Sequence, residues 1–195
     1  MLKCRKLIKV TEQMGKLFDI YIKAHCLTEK NAADFFDCVG DLYFTDEVQG
    51  LKKFPQHSTI DRLDHITSVA YMSYAYAKEH NMDYRRIARA ALLHDLYYYD
   101  WHDKARWHRP HGYKHPRFAA DNAKKLYPEI SRFEEKIILR HMWPLTVIPP
   151  SSKGGFVVTL SDKYCAAREL LIADREGFRK RFEEKIKSFK ENEKC

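Results

Sequence analysis

Only seven glycines and seven prolines interrupt the 195 residues of this chain, and the intervals between them carry apolar residues three and four positions apart. That is the period of an amphipathic helix, not the strict alternation of a half-buried strand. The pattern predicts an almost all-helical protein, with helices near 3–25, 31–38, 59–80, 84–98, 116–127, 131–142, 156–172 and 174–191. Local signals mark some of the ends. Pro116 suits a first helical position, where its missing N–H costs nothing, and the run "WPLTVIPPSSKGG" gathers breakers between two helices. Toward the end of the chain Phe178, Phe182, Ile186 and Phe189 recur on one face, which predicts a last helix that packs back onto the body.

With 45% hydrophobic residues the chain can bury one substantial core, so a single domain over 1–195 is expected. No apolar run is long enough for a membrane span, and "MLKCRKLIKV" inserts charges where a signal peptide needs an apolar block. A cytoplasmic protein is the expectation. Cys4, Cys26, Cys38, Cys165 and Cys195 form no CxxC pair and are odd in number, which argues against a zinc ribbon or a disulfide framework. The formal charge of +8 matters through its distribution. In the tail from Asp174 eight bases and six acids are interspersed, as on a solvated helix face. The most concentrated excess is "HDKARWHRPHGYKHPR", residues 102–117, where Lys104, Arg106, Arg109, Lys114 and Arg117 face Asp103 alone. Basic residues this dispersed do not make a backbone-tracking groove, so nucleic acid is not an expected partner.

Several polar side chains fall on faces that should be apolar. His94 ends the stripe Ile87, Ala91, His94, Tyr98; His141 shares one with Phe133, Ile137 and Ile138; Asp162 sits with Val158, Cys165 and Ala166. His65, followed on one side by Val69 and Met72, turns toward the same interior, and His115 closes the basic loop. Any one of these is well explained as a core histidine bonded to a carbonyl. Asp162 is harder to explain that way, because an ionised carboxylate in an apolar surround costs several kcal/mol unless a cation or strong donors compensate it. Imidazoles and carboxylates converging from rigid elements, without thiolates, are what a buried metal site requires.

The order His65, then His94 and Asp95 together, then Asp162, on a helical background, resembles the HD-domain superfamily of metal-dependent phosphohydrolases. The resemblance spans about residues 55–172, leaving 1–54 and 173–195 as flanking helices around a compact all-α bundle. His115 in "KHPRFAADNA" and His141 in "ILRHMWPLT" stand where dinuclear members, such as the symmetrical dinucleoside-tetraphosphate hydrolase branch, keep two more histidines. The resemblance implies one metal on His65, His94, Asp95 and Asp162, with Asp95 bridging to a second completed by His115 and His141. The cofactors would be two divalent ions, iron or manganese first and zinc, cobalt or nickel as alternatives. The implied chemistry is hydrolysis of a phosphoester or phosphoanhydride by a metal-activated hydroxide. A nucleotide or other small anionic phosphorylated compound would be the substrate.

The chain also departs from that family's pattern. Many members place a lysine or glutamate shortly after the HD pair, whereas Leu96, Tyr97, Tyr98 and Tyr99 follow here. Asp100 and Lys104 are then the nearest ionisable replacements, with Asp100 the acid–base candidate. Arg62, one turn before His65, together with Lys104, Arg109 and Lys163, are candidate substrate contacts, each equally readable as a solvated surface cation. The tyrosines with Trp101 and Trp107 read either as core or as a stacking wall for a base, and His102, His108 and His111 as solvated loop histidines. Two other functions fit the same ligands: a mixed-valent diiron oxygenase and a noncatalytic nucleotide- or metal-binding module.

Overall fold

The computed structural model describes residues 29–57 and 60–171. The predicted helices near 3–25 and 174–191 lie outside them, as does the apolar stripe of Phe178, Phe182, Ile186 and Phe189. The described elements run α1 (Glu29–Tyr43), α2 (Asp46–Gln49), a 3-10 turn (Gly50–Lys53), β1 (Pro55–His57), β2 (Ile60–Asp61), α3 (Arg62–Glu79), α4 (Tyr84–Leu93), a second 3-10 turn (Arg106–His108), α5 (His111–Leu126), α6 (Arg132–Arg140) and α7 (Lys153–Leu171). This is an all-α fold with one small antiparallel ribbon, in which Pro55 pairs with Asp61 and His57 with Ile60. No helix among the described residues is long and apolar enough to cross a membrane.

Helix α3 is the axis of the bundle, buried along nearly its whole length against α4 and α7. Its start is fixed by Asp61, which stays extended and accepts the Asp64 N–H at 3.0 Å. Asp83 caps α4 through the Arg86 N–H, and α6 opens with a reciprocal capping box between Ser131 and Glu134. Val69, Met72, Ile87, Leu92, Ile138 and Val158 form a continuous core between these helices. Burying side chains of this size stabilises by about 1.5–3 kcal/mol each.

Three predicted boundaries move by about five residues for physical reasons; the helix expected over 31–38 continues to Tyr43, because Val39, Leu42 and Tyr43 are buried in the core. The helix expected over 84–98 ends at Leu93, and the stripe breaks there: Tyr97 is buried and Tyr98 is 43% exposed. Helix α5 begins at His111, five residues before the expected start, so Pro116 lies inside it. The close approach of Gly112 to Leu145 helps seat the earlier start. A Cβ at Gly112 would come within 2.5 Å of Leu145 Cδ2.

Candidate metal centre

Four histidines reach one place by two local devices. Helix α4 stops with His94 still in helical conformation, and its Nδ1 donates to the Ala91 carbonyl at 2.7 Å. Helix α6 stops the same way, with His141 Nδ1 donating to the Ile138 carbonyl at 2.7 Å. In both, the imidazole satisfies a carbonyl that the ending helix leaves without an intrahelical partner. His115, within α5, donates Nδ1 to the His111 carbonyl at 2.9 Å. His65, on α3, places Nδ1 2.9 and 3.1 Å from the two oxygens of Glu169 on α7. With every Nδ1 held by an acceptor, the inward-facing atom of each ring is Nε2, the nitrogen left to bind a cation.

Those Nε2 atoms surround two aspartates. On one side His65 Nε2 lies 3.2 Å and His94 Nε2 3.7 Å from Asp162 Oδ1. On the other, His115 and His141 place Nε2 3.2 and 3.6 Å from Asp95 Oδ1, and 2.9 Å from each other. Asp95 turns its second oxygen, Oδ2, toward His94 Nε2 at 3.8 Å. Three sets of ligand atoms, from His65, His94 and Asp95, from His94, His141 and Asp162, and from Asp95, His115 and His141, each fall within 4.8 Å. The side chains of all six residues are buried or nearly so.

The electrostatics of this cluster are those of a cation site. Burial alone would raise the Asp95 carboxyl, but His94, His115 and His141 outweigh it and hold the group well below the usual carboxylate range. Asp162 is likewise held down against burial by His65 and His94. Burial opposes a charge on His65, yet Glu169 and Asp162 push that imidazole well above its ordinary value. His141 moves the other way, to about 3, through burial and then the neighbouring His94 and His115. His94 Nε2 and Asp95 Oδ1 have no hydrogen-bond partner although they are buried. Such groups ordinarily cost about 1–3 kcal/mol each. A cation between these atoms satisfies both, and the nitrogen-and-oxygen donor set fits a divalent first-row metal.

Around the cluster lie residues that sequence periodicity did not expose. Gln56, on β1, donates Nε2 to Asp95 Oδ2 at 2.8 Å and accepts from Arg62 Nε at 3.0 Å. No sequence pattern links a ribbon residue to Asp95. Glu169 did leave a signal: it stands seven residues after Asp162, on the same helix face.

The candidate substrate contacts separate in the structure. Arg62 is fully buried; its guanidinium donates to the Tyr97 and Tyr99 carbonyls at 2.7 and 3.1 Å and lies 3.6 Å over the Tyr97 ring. These contacts clamp the segment after Asp95, and burial closes this arginine to a substrate phosphate. Lys163 Nζ reaches the cluster, donating to the His141 carbonyl at 3.1 Å and Asp162 Oδ2 at 3.3 Å. Lys104 is exposed, and Arg109 is exposed with a bond to the Asp103 carbonyl. Asp100 accepts from the backbone N–H and ring of exposed His102, with no contact to the cluster, and those N–H bonds hold its carboxyl below its ordinary value.

The loop histidines are not uniformly solvated. His108 is buried and stacks on Tyr99 at 4.6 Å, with neither ring nitrogen hydrogen-bonded. His111 is partly buried, 3.2 Å from the Tyr99 hydroxyl and stacked on His115 at 4.4 Å. The aromatic side chains mostly pack on one another: Tyr99 meets Tyr97, Trp107, His108 and Phe118.

A family model described as HD domain matches residues 62–167, more than half of the chain. No curated protein and no solved structure matches.

Proposed function

This chain belongs to the HD-domain family, and from that premise we propose that it is a metal-dependent phosphohydrolase acting on a nucleotide or another small phosphorylated compound. His65, His94 and Asp162 would hold one divalent ion, His115 and His141 a second, and Asp95 would be shared. The observation that carries this reading is the approach of His115 Nε2 to His141 Nε2, 2.9 Å apart beside Asp95 Oδ1, while both Nδ1 atoms face carbonyls. Two ring nitrogens so arranged converge beside a carboxylate oxygen, the donor set that a divalent cation takes. Iron or manganese is the first choice for a histidine-rich centre of six ligands, ahead of zinc, cobalt or nickel.

When bound, such ions lower the pKa of water and offset charge on phosphoryl oxygens. The net reaction adds water's oxygen to phosphorus and breaks the bond to the leaving oxygen, which takes up the proton. The chain's own residues provide the setting. Asp95 stays ionised at neutral pH because three histidines surround it. Lys163 uses two of its three N–H donors on the His141 carbonyl and Asp162, which leaves one for a phosphoryl oxygen. At 35% side-chain exposure, Lys163 stands at the mouth of a centre whose other members are far more buried. Exposed Lys104, Arg106 and Arg109 before α5, with Arg117 on it, add a field that draws anionic substrates.

The test is elemental analysis of the protein purified without chelator, followed on the same sample by a screen of phosphomonoesters, cyclic nucleotides and dinucleoside polyphosphates. Two ions per chain with selective phosphate release, abolished in Asp95→Asn, is the expected result. A metal-loaded protein that consumes oxygen and leaves every phosphate ester intact would overturn the reading in favour of an oxygenase.

A further inference from the structure

The two halves of the centre are not electrically alike. On the His115 and His141 side both Nδ1 atoms donate to neutral carbonyls, and among the described residues Asp95 is the only carboxylate within 4.0 Å of the ring nitrogens, Asp162 lying farther from His141. The other side has Asp162 as well, and behind His65 stands Glu169, 2% exposed, with both oxygens near His65 Nδ1. Of the four rings, His65 alone has a carboxylate as its outer acceptor.

A carboxylate in that position does two things a carbonyl does not. It polarises the Nδ1–H bond, which makes Nε2 a stronger donor to a cation, and it adds a buried negative charge one ring away. Among the described residues, Lys163 is partly solvated and contacts the outer oxygen of Asp162, and Arg62 is linked to the centre through Gln56 on Asp95. Glu169 and Asp162 are seven residues apart on α7, so one rigid helix sets both charges against His65.

We propose that Glu169 is a positioning residue that makes the His65 side the high-affinity metal position, so that the two positions fill in order: first the one held by His65, His94 and Asp162, then the one held by His115 and His141. This rests on the two-metal reading above, and the following experiment separates failure of one from failure of the other.

Full-length apoprotein is titrated with Co2+, followed by calorimetry and by visible absorption, as wild type and as Glu169→Gln, with folding checked by circular dichroism. Glutamine keeps an oxygen for His65 Nδ1 but removes the charge. The wild type should take up two ions in separate steps, and E169Q should weaken the tighter step about 10–100-fold while leaving the weaker one in place. His141→Ala assigns the steps, because it should abolish the weaker and spare the tighter. Wild-type affinities in E169Q would show that the hydrogen bond alone matters and would overturn the proposal. So would weakening confined to the looser step, or two wild-type steps of equal strength. A wild type that binds a single ion refutes the two-metal reading and the filling order; the E169Q shift for that one ion then still decides whether Glu169 acts through its charge. Should E169Q not fold, His65→Ala decides, since it must remove the tighter step.

Discussion

His115 Nε2 sits 2.9 Å from His141 Nε2, and each ring gives its Nδ1 to a carbonyl, those of His111 and Ile138. Both inward nitrogens therefore meet beside Asp95 in a donor set that a divalent ion fits, and metal binding should stabilise the fold directly. A ligand at one hundred times its dissociation constant contributes about 2.7 kcal/mol per site, and a chain of this size gains roughly 2–4 °C for each kcal/mol. Manganese should accordingly raise the melting temperature by roughly 5–10 °C for each position filled. In His141→Ala the metal-induced shift should fall to about half that of a wild type with both positions filled. Thermal melts with and without the ion check this, and an undiminished shift in the variant would remove His141 from the ligand set.

Metal uptake should also release protons. In the metal-free cluster His65 lies between two carboxylates, with Glu169 at Nδ1 and Asp162 at Nε2. Burial opposes its charge, but those carboxylates raise it well above its ordinary value, and Asp95 and Asp162 raise His94 as well. Both rings are thus biased toward the protonated form, and each must surrender Nε2 to bind a cation. The two aspartates are already ionised and His141 is already neutral, so they contribute no protons. Because these protons bind only the metal-free form, affinity should rise with pH up to the raised histidine values. Calorimetry in buffers of different ionisation enthalpy should report release of about one to two protons as the His65 side fills. No buffer dependence would sink the assignment of His65 and His94.

The parts of this arrangement that were legible in the sequence are those governed by periodicity. His65, His94, His141 and Asp162 all occupy positions on apolar helical stripes, and a stripe states which way a side chain points. What the stripe does not state is where a helix stops. Tyr98 is four residues after His94 and continues the pattern on paper, but the chain leaves the helix because His94 caps Ala91 and buried Arg62 holds the Tyr97 and Tyr99 carbonyls. The Arg62 contacts come from more than thirty residues away along the chain. Arg62 differs from the expectation in a related way: its position one turn before His65 is as the spacing predicts, but α3 is buried on every side there, so the same face does not mean an open face. Gln56 reaches Asp95 across the ribbon and has no periodic relation to it.

Arg62 should thus behave as an internal clamp. Arg62→Ala would leave the Tyr97 and Tyr99 carbonyls and Gln56 Oε1 without this donor, and would open a cavity over the Tyr97 ring. Losing a buried, multiply bonded cation of this kind costs about 3–5 kcal/mol, which urea unfolding would report. Arg62→Lys should recover only part of this, since an ammonium lacks the planar fork that serves three acceptors at once. A surface arginine contacting substrate would give the opposite result, a raised KM with unchanged stability.

The position of Asp162 depends in turn on a contact two turns earlier in α7. A Cβ on Gly154 would lie 2.8 Å from Ile87 Cγ1, 2.9 Å from Ile87 Cδ1 and 3.0 Å from Phe133 Cζ. Ile87 is buried in the core, so it cannot swing away as a surface side chain would. Gly154→Ala should therefore destabilise by about 1–3 kcal/mol through overpacking. It should also push the start of α7 outward, moving Asp162 from His65 and weakening metal binding. Ile87→Ala alone leaves a cavity costing about 2–5 kcal/mol, but it removes the two Ile87 atoms that the new methyl meets and leaves Phe133 Cζ at 3.0 Å. The double variant should then be more stable than the two single losses predict, by at least about 0.5 kcal/mol, because the substitutions share one space. Urea midpoints for the four proteins measure that coupling, and losses that simply add would show that the helix start is held by something other than this close approach.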